Sequence, residues 1–301
     1  LPKDADLQVD AASLFCASDN PLDHAEDDAG RFFQLGRSGG AFSDIFYHTG
    51  FCGEEKQLAR LRTAASMVRR EGMQLRDELL GLDAAGHLGD ADGLVLHGPR
   101  GCGKSSLLNY AIACCHQAGW LVVVVPSALD WTMGLDAGNA QAPNEAYPVA
   151  DPEYFKEAPP ELEGSALYEA PDATSHFLLS TYLSQREKLA QIPIKCDARR
   201  AHYGGGAPTL ADLLARVCHD EDDAFNDFPV PLRPVHDFLR QLQAVDEMPA
   251  LLVVDGWNHF HGLASSKACR SHLPLHAPQL PVPSMLPGLR PSAGGLARGR
   301  R

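Results

Sequence analysis

The sequence predicts an α/β fold of the P-loop nucleotide-binding kind, and three stretches carry that prediction. Gly98-Pro99-Arg100-Gly101-Cys102-Gly103-Lys104-Ser105 fits G-x-x-x-x-G-K-[ST], with the apolar run Leu94-Val95-Leu96 before it and a helical pattern after it. Trp120-Leu121-Val122-Val123-Val124-Val125 reads as a strand covered on both faces, because its branched residues run without alternation. Ala250-Leu251-Leu252-Val253-Val254-Asp255 is a further apolar strand, ending in a carboxylate. Together, the run at 94–96, the loop, the helix and the run at 120–125 make a βαβ unit with 94–96 as a buried parallel strand.

Taken in order, residues 1–52 read as an extension, acidic first and then aromatic. Asp4, Asp6, Asp10, Asp19, Asp23, Glu26, Asp27 and Asp28 face a single Lys3 in the first thirty residues, where order and disorder are equally expected. Phe32, Phe33, Phe42, Ile45, Phe46, Tyr47 and Phe51 then read as anchors laying this arm across a surface. Over 54–82 the spacing of Leu58, Leu61, Ala65, Val68, Leu75, Leu79 and Leu82 predicts a long helix, broken in two at Gly72. Arg69 and Arg70 read as part of its solvated face. A helix follows the glycine-rich loop over 106–118, with Leu107, Leu108, Ala111, Ile112 and Cys115 inward and Gly119 as its stop.

Pro126 ends the strand at 120–125. The Gly-, Pro- and acid-rich stretch 133–165 reads as a surface loop, and helices are expected over 175–189, 210–218 and 235–244. Gly204, Gly205 and Gly206 mark a turn between the first two. Residues 263–301 hold six prolines, no acid, and Lys267, Arg270, Arg290, Arg298, Arg300 and Arg301; they read as a disordered basic tail. The resulting division is an extension at 1–52, a nucleotide-binding domain at 53–262 with a helical insertion at 133–245, and a tail at 263–301.

The loop's chemistry follows from its residue types. Its glycines let successive N–H groups turn inward toward phosphate oxygens, and the following helix adds its positive N-terminal end. The candidate nucleotide-binding residues are Gly98, Arg100, Gly101, Cys102, Gly103, Lys104, Ser105 and Ser106, with Lys104 reaching the β- and γ-phosphates. Ser105 and Asp255 are the candidate magnesium residues, Asp255 closing a Walker B strand. Many ATPases follow that aspartate with a glutamate that polarises the attacking water. Here the residue is Gly256, and no other base is assignable, so slow or absent hydrolysis is expected. His259-Phe260-His261 lacks a third metal ligand at a suitable spacing.

Composition narrows the class. A chain of 301 residues, 45% hydrophobic and 22% charged, has ample material for a soluble core. A net charge of −13 argues against a broad nucleic-acid face but not against a local basic patch. Eight cysteines without paired spacing point to reduced thiols rather than zinc or disulfides. No apolar run reaches the ~20 residues a membrane span needs. The first residue is Leu1, so a fragment or processed product is expected, with no basic presequence in view.

With these landmarks placed, the chain resembles the death-associated protein 3 family, the GTP-binding component of the mitochondrial ribosomal small subunit. The residues that carry the resemblance are Met67-Val68-Arg69-Arg70 with Leu75 and Leu79, Cys114 to Trp120 with Pro126 and Trp131, and Tyr168-Glu169-Ala170-Pro171 with the helix after it. Leu210-Ala211-Asp212-Leu213 and Val254-Asp255-Gly256-x-Asn258 complete the set, over roughly residues 40–262. The resemblance implies an AAA+-like three-layer P-loop fold with a parallel sheet. The family continues beyond Walker B with further strands and a helical lid, and the proline-rich tail that stands there instead reads as a truncation of that fold. It implies GTP or GDP with Mg²⁺ as cofactor; ATP stays open, because the Asn-Lys-x-Asp guanine motif is absent. The expected partners are small-subunit ribosomal proteins and rRNA in the mitochondrial matrix, with room for large-subunit bridge contacts and no membrane. The function expected is a structural ribosomal protein holding a nucleotide. The alternative is an active ATPase or GTPase of the AAA+ or switch type.

Overall fold

A computed structural model describes residues 14–16, 18–35, 37–38, 41–42, 44–53, 65–86, 93–129, 147–148, 168–169, 171–195, 208–218, 232–258 and 296–298. The strands are β1 (Phe32–Gln34), β2 (Arg37–Ser38), β3 (Ala41–Phe42), β4 (Ala65–Met67), β5 (Leu94–Leu96), β6 (Leu121–Val125), β7 (Tyr147–Pro148), β8 (Tyr168–Glu169), β9 (Ala250–Val254) and β10 (Leu296–Arg298). The helices are α1 (Asp44–Thr49), α2 (Arg70–Ala84), α3 (Lys104–Gln117), α4 (Pro171–Leu189), α5 (Leu210–Cys218) and α6 (Leu232–Gln243).

The fold is mixed α/β around a small parallel sheet, β6 beside β9. Their register runs from Leu121 opposite Ala250 to Val125 opposite Val254. Every residue of β6 is buried, as its unbroken branched run requires of a strand covered on both faces. Leu121, Val123 and Val125 pack with Phe177 and Leu178 of α4, Leu213 and Leu214 of α5, and Phe238 of α6. Val122, Val124 and Val253 pack on the other side with Met73 and Leu75 of α2, Tyr110 and Ile112 of α3, and Phe33, Ile45 and Phe46 of the N-terminal arm. Each large side chain so buried contributes about 1.5–3 kcal/mol.

α3 ends where expected. Trp120 N–H donates to the Cys115 carbonyl at 2.9 Å and Gly119 N–H to that of His116 at 3.1 Å, the two bonds of a Schellman ending. Chain then turns directly into β6.

Four expectations are corrected. β5 is not a buried parallel strand: it pairs antiparallel with β10, and Val95 is 41% exposed. Its partner comes from the segment read as a disordered tail, of which Leu296–Arg298 is a strand and the rest lies outside the described residues. A short strand with open N–H and C=O groups on its edge accepts such a partner, which local pattern cannot reveal. Of the long helix expected over 54–82, the described residues form instead β4 followed by α2 from Arg70 to Ala84. Gly72 does not break it, but lies inside α2, buried where a Cβ would sit 3.1 Å from the Tyr110 ring.

The arm is more regular than read from sequence. β1 pairs antiparallel with β4, and Phe33, Leu35, Ile45 and Phe46 are core residues. Tyr47, read as an anchor, is 76% exposed. The helices of α4, α5 and α6 lie where helical periodicity places them, α4 and α6 starting a few residues earlier. The turn at 204–206, residues 54–64, most of 133–165 and His259 to His261 lie outside the described residues.

Candidate functional site

The glycine-rich loop leaves β5 at Leu96 and enters α3 at Lys104. Gly101 and Gly103 take φ of +83° and +87°, a region that residues with a Cβ avoid. The loop folds around its own lysine. Lys104 Nζ donates to the Gly98 carbonyl at 3.0 Å and the Pro99 carbonyl at 2.9 Å, with Cys102 Sγ 3.8 Å away. Arg100 is exposed, and Ser106 sits half-buried in the first turn of α3.

Ser105 and Asp255, 150 positions apart, meet at 2.8 Å, the Ser105 hydroxyl donating to Asp255 Oδ2. Asp255 is held in place by the end of the parallel ladder. Its N–H donates to the Val125 carbonyl at 3.0 Å, and its own carbonyl accepts from Ala128 N–H at 2.8 Å. Its second carboxylate oxygen, Oδ1, accepts from Gly256 N–H at 2.9 Å. A strand ending in an acid and a loop ending in a serine are thus brought to one point.

The structure adds residues that sequence reasoning missed. Arg69 is not on a solvated helix face. Its Nη1 donates to the Cys102 carbonyl at 2.7 Å, and a Cβ at Gly103 would collide with its guanidinium. The two neighbouring arginines have therefore parted: Arg70 stays exposed, 2.6 Å from Glu26. An extended residue just before a helix start points differently from its helical neighbour, and the helical spacing over 54–82 conceals that boundary. Asn109, fully buried on α3, was also missed, although a polar residue amid Leu107, Tyr110 and Ile112 signals an obligatory partner. The partner is backbone of Cys52, next to Gly53.

The donor set suits a hard divalent cation. Serine and carboxylate oxygens 2.8 Å apart are close to the ~3 Å edge of an octahedron with magnesium-length bonds. Two protein oxygens also suit magnesium's habit of completing its shell with water and substrate phosphates. Among the described residues, no group of three or more His, Cys, Asp or Glu side chains could hold a metal by itself. Positive-φ glycines and a helix N-terminus beside a lysine suit an anionic phosphate chain. No described helix is long and apolar enough to cross a membrane.

A search of curated proteins gives no match. Residues 66–287 match the family model described as mitochondrial ribosomal death-associated protein 3, which spans more than half of the chain. The match starts one residue into β4 and reaches into the proline-rich segment.

Proposed function

The chain belongs to the mitochondrial ribosomal death-associated protein 3 family, and from that premise we propose that it is a structural component of the mitochondrial ribosomal small subunit that holds a guanine nucleotide with Mg²⁺. Family membership makes it a mitochondrial ribosomal protein of the matrix, with the ribosome as its partner. The observation that carries the nucleotide reading is the meeting of Ser105 and Asp255 at the mouth of the Lys104 loop. On this reading the fold is a P-loop, AAA+-like one, with helices on both faces of the parallel pair.

In the proposed site, backbone N–H groups of 101–106 and the α3 N-terminus bind the phosphates. Lys104 exchanges the Gly98 and Pro99 carbonyls for phosphate oxygens, a charge-assisted contact. Ser105 and Asp255 hold the magnesium, which when bound neutralises phosphate charge. The residue after Asp255 is Gly256 rather than a glutamate that would polarise water, and its N–H donates to the Asp255 carboxylate instead. Slow or absent turnover follows, and the nucleotide serves as a fixed part.

The test is a sucrose gradient of mitochondrial lysate, with the chain probed and its nucleotide extracted. Co-migration with the small subunit, carrying unhydrolysed guanine nucleotide at about one per chain, is expected. A free protein turning over ATP or GTP would reject the reading in favour of a switch enzyme. Lys104→Ala is expected to leave the chain without nucleotide; wild-type content in that variant would remove the loop from the site.

A further inference from the structure

The N-terminal arm reaches the Ser105–Asp255 pair. Gly53 stands at φ +58°, and a Cβ built on it would lie 2.7 Å from Ser105 Oγ and 3.1 Å from Asp255 Oδ2. The approach is fixed from the helix that carries Ser105. Cys52 N–H donates to Asn109 Oδ1 at 2.9 Å, and Asn109 Nδ2 donates to the Cys52 carbonyl at 3.2 Å. Asn109 lies one helical turn after Ser105, so one face of α3 presents both the hydroxyl and the amide. On the arm, the turn is steadied by Phe46 and Phe51, whose rings stack at 4.6 Å.

These contacts have one consistent reading. An asparagine amide that takes both the N–H and the C=O of one residue fixes position and orientation together, much as a strand neighbour would. The fixed residue precedes a glycine at which any side chain would crowd the serine and the carboxylate. We infer that the turn at Cys52 and Gly53 is a wall of the cation end of the proposed phosphate site, and that glycine at 53 sets the room left beside Ser105 and Asp255. This rests on the nucleotide reading above and deepens it, by making the arm part of the site. Asn109 is then a positioning residue, acting through Cys52.

The experiment uses the purified full chain and measures equilibrium binding of GTP and ATP, each with magnesium chloride or with EDTA. The variants are Gly53→Ala, Gly53→Asn and Lys104→Ala. Asn tolerates positive φ, so Gly53→Asn adds the Cβ with little backbone strain and serves where Gly53→Ala folds poorly. Wild type is expected to bind more tightly with magnesium. Either Gly53 variant should lose tenfold or more of that magnesium-dependent gain, while its affinity in EDTA stays within about twofold. Lys104→Ala should weaken binding under both conditions. If wild type binds and Lys104→Ala does not, but the Gly53 variants keep the wild-type magnesium gain, the wall is overturned and the loop reading stands. If wild type binds neither nucleotide, the loop reading fails and the wall fails with it.

Discussion

Two cations share the carbonyls of one short loop: Lys104 takes those of Gly98 and Pro99, and Arg69 takes that of Cys102. Their roles differ. Lys104 belongs to the loop it binds, so it is free to exchange its carbonyls for a ligand. Arg69 arrives from the junction of β4 and α2, 33 positions away, and so ties the loop to the rest of the fold. Its guanidinium is also 3.6 Å from Glu71, which anchors the head on the near side. Removing it with Arg69→Ala leaves a half-buried carbonyl without its charged donor, a loss of about 1.5–3 kcal/mol. The expected outcome is a urea midpoint lowered accordingly and a severalfold weaker affinity for GTP. Arg69→Lys should recover only part, because a compact ammonium cannot reproduce the fork reaching Cys102. Unchanged stability and affinity in Arg69→Ala would show that the loop keeps its shape unaided.

At the scale of elements, the β6–β9 pair is the centre and the helices are its covers. Phe238 of α6 is fully buried, with its ring 6.1 Å from that of Phe177 in α4. Phe238→Ala is expected to cost about 3–5 kcal/mol in urea unfolding. Tyr47→Ala, at a side chain 76% exposed, should stay within about 0.5 kcal/mol. A Phe238→Ala loss no larger than that of Tyr47→Ala would mean α6 does not cover β6. The elements legible in the sequence are those with a strong local signal. The unbroken branched run of β6, the periodic face of α5 and the glycine-lysine loop name themselves. What was illegible depends on partners far along the chain. β5 looks like any buried apolar run, because the pairing that leaves Val95 exposed involves residues two hundred positions later. The start of α2 was misplaced because Ala65 and Val68 fit a helical face as well as a strand and its exit. Gly53 was illegible for the same reason as Arg69: its meaning is a contact with Ser105, 52 positions on.

For the whole molecule, the arm is as much a part of the body as the segments within the family match. β1 completes β4, Phe33 and Ile45 enter the core beside Val122, and Cys52 is clasped by α3. The arm is also where the fold is open to pH. His24 is buried between the arm and α3, its Nδ1 3.1 Å from Tyr110 Oη and its Nε2 3.1 Å from the Ser18 carbonyl. A carbonyl only accepts, so the neutral ring carries its hydrogen on Nε2 and accepts from Tyr110 on Nδ1. Burial holds its pKa below 6.5; nearby Arg76 adds to this, while the Ser18 carbonyl, Asp28 and Asp23 work against it. The sign follows from where the proton goes. Above pH 6.5 the ring is neutral in both folded and unfolded chains, and His24 makes stability no different. Below 6.5 the unfolded chain takes up the proton while the folded arm resists it. Stability therefore falls as pH drops from 6.5 toward the folded value, and no further below that. Arg76 donates to the carbonyls of Pro21 and His24 at 3.0 and 2.8 Å, so the same stretch of arm loosens as a unit. Limited proteolysis should cut the arm near residue 24 faster at pH 5.5 than at 7.5, and His24→Gln should flatten that dependence. An equal rate at both pH values in the wild type would mean that the ring takes up its proton in place, with Tyr110 turning its hydrogen to the Pro21 carbonyl 3.2 Å away.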